Sequence, residues 1–116
     1  MDSSEQSAKV QRIGAVIGVA PESVEEYVRL HREVWPDVLA ALRAAHVTNY
    51  SIFLHDGLLF SYLEYRGDDL ASDLARVAAD PTTQRWWAVT MPLQRTMRSA
   101  PDQDWWTSMQ EVFHLD

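Results

Sequence analysis

The sequence predicts an α+β fold, and three observations carry that prediction. A β-branched run from Val10 to Val19 stops at Ala20-Pro21, apolar residues recur at three- and four-residue spacing from Val24 to Leu42, and two strand-like runs flank His55-Asp56-Gly57. The first run is strand one, interrupted by Gly14 and Gly18. The helix that follows presents Val24, Tyr27, Val28, His31, Val34, Trp35, Val38, Leu39 and Leu42 on one face. Ser23 is placed to cap it, Glu25 and Glu26 suit its positive N-terminal end, and Arg43 suits its C-terminal end. Pro36 lacks a backbone donor and clashes with the preceding turn, so this helix is expected to kink or restart at Trp35-Pro36.

Val47 to Leu54 and Leu58 to Tyr65 read as strands two and three, antiparallel across a tight Asp-Gly turn. Leu70, Leu74, Val77 and Ala78 mark a second helix ended by Asp80-Pro81. Thr82 is then placed to cap a third helix that carries Trp86-Trp87 as far as Met91. Pro92 and Pro101 bracket a loop, and the alternation from Met109 to Leu115 suits a closing strand. The order is βαββαβ with one extra helix, the split βαβ or ferredoxin-like plan, in which helices cover one face of an antiparallel sheet. No remaining segment is available for the other face, so either a ligand cavity or a second copy must cover it, and a face-to-face homodimer is the economical expectation.

The chain has 116 residues, enough for one domain with one core. Residues 1–9 are polar and Ser-rich and read as a disordered leader, leaving 10–116 as the domain. The net charge of -7 and the single lysine, Lys9, offer no basic patch, so nucleic acid is not an expected partner. The absence of cysteine excludes disulfides and thiolate chemistry and suits the cytoplasm. No apolar run reaches membrane-spanning length, and no pair of histidines stands at metal spacing on one helix. Neither a metal nor a cofactor is expected.

Tyr27, His31 and Trp35 are four residues apart, drifting only about 40° per step, so they share one helical stripe. On spacing alone they read better as core rings with a core or boundary histidine. Trp86 and Trp87 differ by about 100° in direction, so they cannot enter one core patch equally. Aromatic faces stack on the C–H faces of sugars, while indole N–H and phenol O–H groups bond hydroxyls, so this composition favours a neutral, hydroxyl-rich ligand.

Tyr27-x-x-x-His31, Trp35-Pro36, Asn49-Tyr50-Ser51-Ile52-Phe53-Leu54, Gln84-Arg85-Trp86-Trp87 and Glu111-Val112-Phe113 together resemble the L-rhamnose mutarotase family in order and spacing. The resemblance spans about Ile13 to Leu115; His114 after Phe113, where the family has Tyr, and the longer N-terminus depart from it. It implies a dimeric α+β barrel of ferredoxin-like protomers that interconverts the α and β anomers of L-rhamnose. By position it implies His31 as proton donor, Tyr27, Tyr50, Trp86 and Trp87 as sugar-binding residues, and Trp35 and Asn49 as supporting pocket residues.

Mutarotation needs a proton delivered to the ring oxygen and one removed from the anomeric hydroxyl. Histidine suits both because its ordinary pKa lies near neutrality. His31 is therefore expected to protonate the ring oxygen, with Tyr27 orienting the sugar or sharing the proton, and with Glu111, Asp37 or water as partner base. L-fucose or another 6-deoxy sugar is the alternative substrate, and a non-enzymatic sugar-binding module is the alternative class. A cofactor-free oxygenase or a haem enzyme on the same kind of barrel is a further reading of His31. His46, His55 and His114 read as ordinary surface or helix-end histidines.

Overall fold

The computed structural model describes residues 10–97 and 105–116; the segment read as a leader lies outside them. Along the chain run β1 (Gln11–Val19), α1 (Val24–Arg32), α2 (Pro36–Ala44), β2 (Val47–His55), β3 (Leu58–Tyr65), α3 (Leu70–Ala79), α4 (Pro81–Thr90), β4 (Gln94–Arg95) and β5 (Thr107–Met109). Single 3₁₀ turns, Pro21–Ser23 and Met91–Leu93, lead into α1 and out of α4. The class is α+β, as expected.

The expected first helix is two helices. Trp35 is extended (φ -58°, ψ 133°), the conformation forced on a residue before proline, and Pro36 opens α2 where its missing N–H costs nothing. Of the expected caps, one makes no bond and one is replaced. Ser23 stands before α1 without a side-chain capping bond, and α4 is capped by Asp80 instead of Thr82. The Asp80 carboxylate accepts from the Thr83 N–H at 2.8 Å and the Thr83 hydroxyl at 2.9 Å.

The sheet is antiparallel in the order β2-β3-β1-β4, with β5 also on β1. Gly18 and Val19 pair with Arg95 and Gln94, while Gly14 to Val16 pair with Met109 to Thr107. Two short strands thus share one edge of β1, with residues 96–106 between them. This corrects the expected closing strand from Met109 to Leu115. The alternation there is genuine, but residues 110–116 have no strand partner among the described residues, and a strand without a ladder is not formed. The β2–β3 turn is as expected: Asp56 and Gly57 both have positive φ (52° and 75°), as a two-residue type I′ hairpin requires.

Ile17, Val19 and Leu59 pack with Tyr27 of α1, and Val47, Ala45 and Val77 form a second cluster beneath α2 and α3. Successive strand residues face opposite ways, so Val16, Phe60 and Phe53, which are paired across the sheet, lie on the face away from the helices. Phe53 is 64% exposed there.

One irregularity positions the site. Val47 and Ile52 both face the helical layer although they are five residues apart, a spacing that plain alternation forbids. A bulge between Thr48 and Ser51, with Asn49 at φ 48°, inserts the extra residue and resets the phase. Tyr50, two before Ile52, is thereby turned to the same side.

Candidate active site

Tyr27 and His31 lie one turn apart on α1, and the turn itself joins them. The His31 Nδ1 lies 2.8 Å from the Tyr27 carbonyl oxygen, and the two rings stack with centroids 4.1 Å apart at 22°. A carbonyl only accepts, so Nδ1 carries the proton and Nε2 of the neutral ring keeps a free lone pair. Burial pushes the imidazole below histidine's ordinary 6.5, against the opposing pull of the Tyr27 carbonyl. His31 is therefore held neutral near pH 7 with Nε2 as a proton acceptor.

Trp86, buried on α4, meets the edge of His31 at 5.2 Å (67°) and Trp35 at 5.1 Å (72°). The Tyr27-His31-Trp86-Trp35 series is continuous. Its polar end opens on a cavity of about 250 Å³ lined by Tyr27, Val28, His31, Arg32, Ile52, Leu54 and Leu59. One phenol and one imidazole face an apolar wall from the sheet, with Arg32 as the charged residue of the lining. Such a cavity suits a small ligand with a hydroxyl-rich and an apolar side.

Burial also governs the phenols. It pushes Tyr27 up to about 12, the Gln94 N–H opposing and nearby Tyr50 adding to the rise. Tyr50 keeps 41% of its surface exposed while its hydroxyl end is enclosed, and burial raises its pKa as well. Both phenols stay protonated at neutral pH.

A family model described as L-rhamnose mutarotase matches residues 12–115. The chain belongs to the L-rhamnose mutarotase family. It is 33% identical over 109 residues to an L-rhamnose mutarotase of Oceanobacillus iheyensis, covering 92% of this chain and all of that protein. It is 36% identical over 107 residues to one of Lactiplantibacillus plantarum, covering 90% and 98%. Its fold is similar to the crystal structure of an L-rhamnose mutarotase from Formosa agariphila, with a TM-score of 0.68 and 21% identity over 91% of this chain and 99% of that one.

The residues quoted for the mutarotase resemblance fall into two groups. Tyr27, His31, Trp35 and Trp86 come together, and Tyr50, turned to the same side of the sheet by the bulge, does not line the cavity. Asn49 does not line the cavity; its amide donates to Glu64 at 2.7 Å, beside Tyr62 and Arg66, and braces the bulge that turns Tyr50. Trp87, 37% exposed, points away from buried Trp86 and is also absent from the lining. Neither carboxylate named as partner base lines it. Glu111 is held by Arg12 in a two-bond ion pair at 2.9 and 3.0 Å, and Asp37 is exposed at the start of α2.

Sequence reasoning missed Gln94 and Trp105. Gln94 is buried, its amide nitrogen 3.3 Å from the Tyr27 hydroxyl and its amide oxygen 2.6 Å from the Trp105 indole nitrogen. Trp105-Trp106 is a tandem pair like Trp86-Trp87, and that repetition was the available signal. Among the described residues no group of three metal-ligating side chains occurs, and no helix is long and apolar enough to cross a membrane.

Proposed function

We propose that this chain exchanges the α and β anomers of L-rhamnose in the cavity beside Tyr27 and His31. The observation that carries the proposal is the stacked Tyr27–His31 pair, whose backbone hydrogen bond leaves Nε2 as acceptor next to a protonated phenol. Nε2 takes the proton of the anomeric hydroxyl as the bond from C1 to the ring oxygen breaks. The ring oxygen takes a proton from the Tyr27 hydroxyl, giving the open aldehyde. After rotation about C1–C2, the oxygen adds to the other face of the carbonyl, the tyrosine recovers its proton and His31 returns its own. Every proton is accounted for by these two side chains. In this proposal Tyr27, and not His31 as expected from the sequence, protonates the ring oxygen, and His31 gives a proton only in the closing half.

Ile52, Leu54 and Leu59 offer an apolar wall for the C6 methyl group, and Trp86 fixes the His31 ring from behind. Trp87 and Tyr50, which do not line the cavity, are proposed as further sugar contacts on the family resemblance alone. L-fucose carries the same C6 methyl group, so the apolar wall does not separate the two sugars and L-fucose is the natural competitor; against a sugar lacking the methyl group the contact is worth about 1–3 kcal/mol. The unit that acts is residues 10–116, in the cytoplasm, as a homodimer of ferredoxin-like protomers forming an α+β barrel. Support for the dimer comes from Phe53 and Met109 on the sheet face away from the helices, 64% and 40% exposed.

Saturation-transfer NMR of the anomeric protons of L-rhamnose, L-fucose and D-glucose tests the substrate. Selective acceleration for L-rhamnose is expected. Acceleration for L-fucose alone changes the substrate, and saturable binding without acceleration leaves a sugar-binding module.

A further inference from the structure

Tyr27 reaches beyond α1 through its hydroxyl. Gln94 sits on β4, where its backbone is fixed by pairing with Val19 of β1, and its side chain lies in the core between Tyr27 and Trp105. The orientation of a glutamine amide is set by its partners. An indole N–H is a donor and has no acceptor, so the amide oxygen must face Trp105 and the NH₂ must face Tyr27. The Tyr27 oxygen therefore accepts from Gln94, and among the described residues no side-chain bond takes the phenol's own proton.

We infer that Trp105 and Gln94 form a two-step relay of hydrogen bonds that fixes the Tyr27 hydroxyl as a donor toward the sugar. Trp105 orients Gln94, and Gln94 occupies the acceptor side of the Tyr27 oxygen, leaving its proton for a ligand. Both are positioning residues: neither lines the cavity, and each acts through the next. The same N–H stabilises the negative charge that develops on the phenol oxygen when its proton moves to the ring oxygen, a role consistent with its lowering of the Tyr27 pKa against burial. The inference rests on the mutarotase reading for its catalytic consequence and on hydrogen-bond chemistry alone for the relay.

The test is a cycle of Gln94→Leu, Trp105→Phe and the double variant, with anomeric exchange of L-rhamnose as one readout and the ¹³Cζ chemical shift of Tyr27, without sugar, as the other. Gln94→Leu is expected to lower kcat about 3- to 10-fold, the rate equivalent of one hydrogen bond, with KM unchanged. Trp105→Phe is expected to have a smaller effect in the same direction. The double variant is expected to be no slower than Gln94→Leu, because Trp105 acts only through Gln94. Both single variants should move the Tyr27 shift. Gln94→Glu, which accepts from Trp105 and from the phenol, turns the Tyr27 proton inward and should lower kcat further at nearly the same volume. Additive losses, a change confined to KM, or an unmoved Tyr27 shift in Trp105→Phe would overturn the relay. If the wild-type protein accelerates no sugar, the mutarotase reading fails, and the shifts alone decide whether the relay exists.

Discussion

His31 shows how one backbone oxygen can set a side chain's chemistry. The Tyr27 carbonyl fixes the tautomer, stacking on the Tyr27 ring fixes the plane, and burial lowers the pKa. The pH dependence follows from these. In the proposed mechanism the base is the neutral imidazole, so kcat/KM should be full above the lowered pKa and fall as pH drops through it, at a midpoint below the ordinary 6.5. Loss of the tyrosine proton should appear only as pH approaches about 12, so no alkaline limb is expected between pH 7 and 10. A pH profile of exchange rates checks both sides, and a midpoint above 6.5 would contradict the assigned role. His31 and Tyr27 were legible in the sequence because helical spacing puts residues i and i+4 together. Gln94 was not, since its bond to Tyr27 joins residues 67 apart in the chain, and the Trp105-Trp106 tandem marks a candidate without naming its partner.

At the scale of elements, α4 separates its two tryptophans as the 100° step requires. Trp86 is 6% exposed and Trp87 37% exposed. Trp86→Ala should destabilise the protein by about 3–5 kcal/mol, as aromatic truncations in cores do, and should also release the His31 ring. Trp87→Ala should cost less than about 1 kcal/mol and act on sugar affinity instead. Urea unfolding of both variants separates them, and equal losses would refute this division of roles. Elements with a covalent cause were readable in advance: Pro36 splits the first helix, and Asp56-Gly57 turns the hairpin. The bulge at Asn49-Tyr50 was not, because it is defined by two residues standing opposite Leu63 on β3, a fact of pairing that one strand's composition does not carry. A second network, in which the Tyr65 hydroxyl donates to buried Asp73 and accepts from the Asp69 N–H, ties β3 to α3. Gly67 is required beside it, since a Cβ there would meet the Tyr65 ring and hydroxyl closer than 3.0 Å.

For the whole molecule, the layer of helices covers one sheet face and leaves Phe53 on the other, while Val112, Phe113 and Leu115 of the tail are 78–87% exposed. The uncovered sheet face is the reason a second copy was expected from the element order. Analytical ultracentrifugation should give twice the 13.3 kDa chain mass, and Phe53→Asp should shift the population to single chains. A wild-type monomer at micromolar concentration would contradict the dimer.

The most direct measurement is the rate of anomeric exchange of L-rhamnose with wild-type protein and with His31→Ala, the fold of each verified by near-ultraviolet circular dichroism. The structure predicts acceleration by the wild type and a loss of about 100-fold or more in the folded variant, the scale of one positioned acid–base group. Equal acceleration by the two proteins would remove His31 from the chemistry and with it the account of the site.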